Sequence, residues 1–185
     1  MKRILLYGLD EAEADQTQNI LEGIGVAAYI IGDDVLDEEL DQVFEAKEDF
    51  DGRHQEFDEQ WMLFDGIRTE ELIPVLQALA AQGVPFDGVK VMLNENNAGW
   101  TVRRLFEATR KEHELGKRIM VLQELLSSCS GLELSQADPK VRAEFRRSLA
   151  DAMRLLRSGN YTVEAVDRAI EDLTASMKGV RKLYN

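Results

Sequence analysis

The sequence predicts an α/β fold in which a strand–helix–strand unit occurs twice and is followed by a long helical arm. Two segments resemble each other at a fixed offset of 58 positions, and each begins with an apolar run of strand length. Beyond Trp100 the apolar residues follow helical spacing, without strands. Because internal repeats are typical of duplicated supersecondary units, we predict an α/β domain over residues 1–100 and a helical arm over residues 101–185.

The repeat aligns Ile4–Leu9 with Met62–Ile67 without a gap. In both copies an amphipathic helix follows, ends at a glycine (Gly25 or Gly83) and leads to a second apolar run. Continuous apolar runs are typical of strands that are covered on both faces. Glycine readily adopts the left-handed conformation that ends many helices. Each copy is therefore predicted to form one βαβ unit.

Two sheet topologies are compatible with βαβ units at residues 1–32 and 60–94. If each crossover helix packs as usual, the four strands form a parallel sheet with right-handed connections. If the units interleave, the result is a ferredoxin-like sandwich with an antiparallel sheet. The acidic linker between the units has the spacing of a short helix around Leu40, followed by a polar loop over residues 47–60. This helix favours the parallel sheet, with the ferredoxin-like sandwich as the alternative.

The arm is predicted to contain about three helices, whose apolar residues recur every three or four positions. The breaks between them fall near Gly131 and Gly159, while Pro139 and Thr162 are residue types that commonly begin helices. Packed helices and coiled coils share such apolar seams. The spacing favours a helical hairpin folded onto the long helix, with an interface to another protein chain as the alternative.

Charge and composition restrict the function classes. The chain has a net charge of −13, and residues 1–60 hold 18 acidic but only 4 basic side chains. An acidic surface repels phosphate backbones, so we expect no nucleic-acid partner. No apolar stretch reaches the ~20 residues that cross a bilayer, and no signal-peptide pattern occurs. Together with the single cysteine, Cys129, these features predict a cytoplasmic protein with no membrane partner.

The residues that follow the predicted strands are the candidate ligand-binding positions. Ligands bind outside the carboxyl ends of the strands in open parallel sheets. The side chains expected there are Asp33, Asp65, Asn94, Asn97 and Trp100. Asparagine amides and a flat tryptophan ring could hold a small planar ligand or a peptide. The favoured alternative is structural: asparagines stabilise a turn, Thr101 caps the long helix and Trp100 packs that helix onto the sheet.

Three segments, Trp61–Gly66, Glu71–Ala81 and Asn97–Thr101, resemble a small bacterial family known only as a domain of unknown function. The family pattern is an apolar strand with a glycine turn, a helix, a strand, and then Asn, two residues and Trp-Thr before a helix. The pair Glu112–His113 would match the Glu-His of that helix. The resemblance covers residues 60–114 and implies that the turn is a family feature. It implies no activity.

No nucleotide-binding, hydrolase or zinc motif occurs in the sequence. The stretch Asp33–Glu59 contains 13 carboxylates, but without EF-hand spacing, which favours a solvated surface over a metal site. We expect no cofactor and no metal. The sequence favours a non-catalytic binding or regulatory domain that forms a homodimer, or binds another protein, through its C-terminal helices. The alternative function is a small-molecule sensor or enzyme whose acid or base is Asp33 or Asp65.

Overall fold

The computed structural model describes residues 1–132, 134–135 and 137–181, and it divides the chain into two compact units, Met1–Glu107 and a second from Ala108. The first unit has four strands: β1 (Arg3–Tyr7), β2 (Ala27–Ile30), β3 (Trp61–Asp65) and β4 (Val89–Met92). Its helices are α1 (Glu11–Gly23), α2 (Leu40–Ala46), α3 (Thr69–Ala81) and the beginning of α4 (Val102–Cys129), with a 3₁₀ turn at Asp33–Val35.

The four strands form one mixed sheet in the order β2-β1-β3-β4. Each βαβ unit contributes a parallel pair, β1 with β2 and β3 with β4, whereas the central strands β1 and β3 are antiparallel. The all-parallel sheet is therefore wrong, and so is the ferredoxin-like alternative, because the units lie side by side without interleaving. The reason is the path of the linker. It leaves the carboxyl end of β2 and returns to the same end of the sheet, where Trp61 pairs with Tyr7.

The internal repeat gives the centre of the sheet a local twofold symmetry. Leu5 pairs with Leu63, which is its own counterpart at the 58-residue offset. The symmetry ends before the last strand. Strand β2, which pairs with β1, begins its pairing at Ala27. At the 58-residue offset the pairing of β4 with β3 would begin at position 85, but it begins at Val89. The second copy therefore carries four additional residues, 85–88.

Both faces of the sheet are covered by helices. On β1, Ile4 and Leu6 are buried against α1 and α3, whereas Leu5 and Tyr7 are buried against α2 and the beginning of α4. Successive residues of a strand point to opposite faces, so a sheet with two covered faces needs apolar residues at every position. This burial explains the continuous apolar runs of the sequence.

The polar segment 47–60 contains no helix or strand, but it is held along the edge strand β2. The N–H of Phe50 donates to the carbonyl of Ile30 at 2.9 Å, and the N–H of Asp33 donates to the carbonyl of Arg53 at 2.7 Å. At Gly32 the two backbones approach so closely that a Cβ atom would lie 2.6 Å from the carbonyl oxygen of Arg53. The segment therefore covers a strand edge that would otherwise be open for pairing.

The second unit consists of the remainder of α4 with α5 (Pro139–Ser158) and α6 (Val163–Arg181). The carboxylate of Asp138 caps α5, and Gly159 ends that helix in the left-handed conformation with φ of 65°. The apolar seams of the three helices face one another in a single core. Its buried members are Leu122, Cys129, Phe145, Ala152, Val166, Leu173, Met177 and Val180.

Candidate functional site

The antiparallel centre of the sheet separates the predicted ligand-binding residues into two groups. Strands β1 and β2 end at one end of the sheet, where Asp33 follows β2. Strands β3 and β4 end at the opposite end. The residues at that end are Asp65, Asn94, Asn97 and Trp100. Carboxyl ends meet only where strands are parallel, so the five side chains are not brought together at one strand-end site.

The asparagines after β4 close a turn. Asn97 is only 8% exposed. Its Oδ1 accepts a hydrogen bond from the N–H of Asn94 at 2.8 Å, and its Nδ2 donates to the carbonyl of Met92 at 3.1 Å. The Oδ1 of Asn94 accepts from the N–H of Asn96 at 2.9 Å. These local bonds are the ones that make asparagine a turn residue, and they engage the amides that were candidates for ligand contact.

Trp100 and Thr101 connect the turn to two helices. The hydroxyl of Thr101 accepts from the N–H of Arg104 at 3.2 Å and so caps α4. The carbonyl of Trp100 accepts from the N–H of Leu40 at 3.0 Å, at the beginning of α2. The indole ring packs against the core and lies 4.2 Å from the guanidinium of Arg104, in cation–π geometry. The turn thus joins β4, α2 and α4.

Asp65 is engaged in an ion pair across the central strands. Its carboxylate accepts from the Nε of Arg3 at 2.9 Å and also from the Nη2 of that residue. The Nη1 of Arg3 donates to the carbonyl of Phe44 at 2.8 Å. The pair therefore attaches α2 to the antiparallel strands β1 and β3, and the carboxylate serves the fold.

At the other end of the sheet, Asp33 is bound by Tyr7, a residue that the sequence analysis treats only as part of a strand. The hydroxyl of Tyr7 donates to Asp33 Oδ1 at 2.6 Å and accepts from the N–H of Phe57 at 3.3 Å. The N–H of Gln55 donates to Asp33 Oδ2 at 2.7 Å. The signals that could have indicated this contact are a tyrosine at the end of one buried strand, β1, and acidic residues after the neighbouring strand, β2.

The two groups of this pair have shifted pKa values. Burial, followed by the hydrogen bond to Asp33, raises the pKa of Tyr7 well above its usual value. Burial by itself would raise the pKa of Asp33, but the hydrogen bonds from Tyr7 and from the main chain of Gln55 and Glu56 outweigh it and lower that pKa. At neutral pH the hydroxyl therefore keeps its proton and the carboxylate stays ionised, which suits a fixed structural bond.

An aromatic cluster surrounds Tyr7. Its ring makes edge contacts with His54 at 5.9 Å and Phe106 at 5.1 Å between ring centroids, and Trp61 stacks on Phe106 at 4.1 Å. Within the described residues the buried Nε1 of Trp61 has no hydrogen-bond partner. The cluster joins the acidic segment to the sheet and to α4.

One side of α5 is basic, which the spacing of its apolar residues did not indicate. The exposed Glu144 and Asp151 lie beside this side, and Asp151 accepts a hydrogen bond from Arg154 at 3.0 Å. At ~100° per residue, the cations of α5 occupy one continuous arc of the helix, opposite the buried Phe145 and Ala152. These cations, which we call the basic face of α5, are Lys140, Arg142, Arg146, Arg147, Arg154 and Arg157. Met153 lies within the same arc and is 41% exposed.

Comparisons of the chain with protein-family models, with curated proteins and with solved structures gave no significant match. Among the residues that the structure describes, no three His, Cys, Asp or Glu side chains are grouped so that they could hold a metal ion. In the same part of the chain, no helix has the length and apolar character needed to cross a membrane. The basic face of α5 is opposite in charge to the acidic residues that predominate in the first unit.

Proposed function

We propose that this protein is a non-catalytic binding or regulatory domain that self-associates through its C-terminal helices. The observation that carries the proposal is the basic face of α5, because its cations and Met153 point away from the core of the second unit. Surfaces with one sign of charge select partners of the opposite sign. The first unit provides such a partner in another copy, since residues 1–107 hold 24 acidic and 8 basic side chains.

The alternative, a small-molecule sensor or enzyme at the strand ends, has less support. Its proposed acids, Asp33 and Asp65, lie at opposite ends of the sheet, and each is bound by another side chain of the fold. The amides of Asn94 and Asn97 are engaged within their turn. A site needs convergent polar groups in one concavity, and these four residues do not provide it.

Two further expectations belong with this proposal. We propose that residues 60–114 are related to the domain of unknown function that they resemble in the sequence of the Asn97–Thr101 turn. We also propose a cytoplasmic location. The thiol of Cys129 is buried, 3.6 Å from the sulfur of Met177, and forms no disulfide within the chain.

Sedimentation equilibrium of the full chain tests self-association. The wild-type protein is expected to show a mass above the 21.0 kDa of one chain at low salt, and to dissociate as salt rises, because salt screens exposed charges. The double substitution Arg146→Glu with Arg157→Glu, on the basic face of α5, is expected to give a monomer.

The control reverses two charges on another helix of the same unit, Arg168→Glu with Lys178→Glu, and is expected to associate like the wild type. Both residues are exposed, and the net-charge change is the same. A wild-type chain that stays monomeric at every concentration and salt would refute the proposal, and so would equal association of the two variants.

A further inference from the structure

An open groove of about 800 Å³ lies between α1 and α3, on the side of these helices that faces away from the sheet. Its lining is mainly apolar and has short side chains on both helices. The apolar lining residues are Ala12, Ile20, Ile24, Ala78 and Ala81. Ile24 is 46% exposed. Short side chains at a contact allow two helices to approach closely. The groove could therefore accommodate a further helix.

The rim of this groove carries one charged lining residue, Asp15, and more carboxylates than cations lie beside it. Helix α1 contains no lysine or arginine, and its carboxylates include Asp15, which lines the groove. A second depression shares Asp15 and Asn19 with the groove, and its other charged lining residues are Glu22, Lys47, Glu48 and Asp49. The groove and its surroundings therefore favour a helix that carries cations beside an apolar residue.

Helix α5 of this chain meets that description. Arg142, Arg146, Met153 and Arg157 fall within about 60° of one another around the helix axis. This stripe of the basic face of α5 has an exposed methionine between arginines. With 20 residues α5 is about 30 Å long, whereas the 13 residues of α1 extend over about 20 Å. The helix is thus long enough to fill the groove from end to end.

We propose that the groove between α1 and α3 receives α5 from a second copy of the chain, with Met153 on the apolar floor and the arginines toward the carboxylates at and beside the rim. This inference rests on the proposed self-association and assigns the surface that α5 contacts. The contact joins two different surfaces, the groove of one copy and α5 of the other.

Charge reversal in the groove tests the inference. The double substitution Asp15→Arg with Glu22→Arg changes two exposed residues of α1 in the full chain. We expect it to weaken self-association by about tenfold or more, because close charge pairs across an interface become repulsive. The matched control is Glu95→Arg with Glu107→Arg, which reverses two exposed carboxylates of the same unit away from the groove and should associate like the wild type.

Combining the two pairs of substitutions in one chain gives the decisive test. A chain with both reversals, Asp15→Arg and Glu22→Arg at and beside the groove and Arg146→Glu and Arg157→Glu on α5, is expected to recover self-association in sedimentation equilibrium. A loss caused by misfolding would not be recovered in this way. If the groove variant associates like the wild type while the α5 variant does not, the groove assignment is wrong and the proposed function stands. If the wild type is monomeric, both fail.

Discussion

At the scale of single residues, the turn after β4 depends on one amide. Asn97 is nearly buried, and its side chain satisfies the N–H of Asn94 and the carbonyl of Met92. A buried polar group without its partner costs more than a hydrogen bond contributes to stability. Asn97 is therefore a structural residue, and its loss should show in stability.

Asn97→Ala is expected to lower the free energy of unfolding by about 1–3 kcal/mol, because it leaves the amide of Asn94 and the carbonyl of Met92 without this partner. Urea unfolding followed by circular dichroism measures the change. Asn96→Ala is the control, since the exposed Asn96 takes part in the turn through its main chain. Equal stability of Asn97→Ala and the wild type would contradict the structural role.

A second residue prediction concerns the pH dependence of stability. The hydrogen bonds from Tyr7, Gln55 and Glu56 outweigh burial and hold the pKa of Asp33 below its usual 3.8. The ionised carboxylate therefore stabilises the fold above that value, and this contribution is lost as the pH falls through the lower pKa of the folded state. Asp33→Asn should be less stable than the wild type near neutral pH, and the difference should shrink below pH 3.8.

Urea unfolding at about pH 6 and about pH 3 tests this convergence. Asp58→Asn, which changes an exposed carboxylate of the same segment, should differ little from the wild type at either pH. A difference between Asp33→Asn and the wild type that stays constant across the range would rule out the assigned role of Asp33.

At the scale of elements, main-chain hydrogen bonds hold the segment 47–60 along the edge of the sheet at β2, and we call this segment the strap. It contributes the buried Phe57 to the core and pairs its main chain with Ile30 and Asp33. The composition of the segment predicts a loop, but it does not reveal where the loop lies, because main-chain contacts leave no side-chain pattern. The close approach at Gly32 is the element-scale feature that a substitution can probe.

Gly32→Ala is expected to release the strap and to lower the free energy of unfolding by roughly 1–3 kcal/mol, because the added Cβ would overlap backbone atoms of Arg53 and Gly52. Faster hydrogen exchange at the amide of Phe50 is the specific sign of release. Gly99→Ala is the control, since a Cβ there meets no atom within 4 Å. Unchanged exchange at Phe50 would show that the strap is held by other contacts.

The helices and strands of the first unit were predictable because their patterns are local. Continuous apolar runs indicate β1 and β3. Aspartate commonly caps helices, and the carboxylate of Asp10 accepts from the N–H of Glu13 at 2.9 Å at the beginning of α1. The direction of β3 relative to β1 was not predictable, because the path of the linker depends on the backbone contacts of the strap. The antiparallel direction of β3 also prevents a single strand-end site, because it places Asp33 and Asp65 at opposite ends of the sheet.

At the scale of the whole molecule, charge is divided along the chain. Residues 1–107 carry a large excess of carboxylates, whereas α5 carries six cations and two carboxylates. Such a division promotes contacts between copies at low salt and weakens them as salt rises. The proposed contact between the groove and α5 makes use of this division. The arginines of α5 are visible in the sequence. The packing of the helix is needed to show that they lie opposite its buried residues.

The pairing of Leu5 with Leu63 has a consequence for the origin of the fold. When two identical chains meet through a twofold axis, the residue on the axis lies opposite its own copy. The centre of this sheet has that arrangement within one chain. A half-length ancestor with a single βαβ unit would have built the same sheet as a homodimer, and gene duplication with fusion would then have made the association permanent. The two halves differ in length by the four residues 85–88, which precede β4.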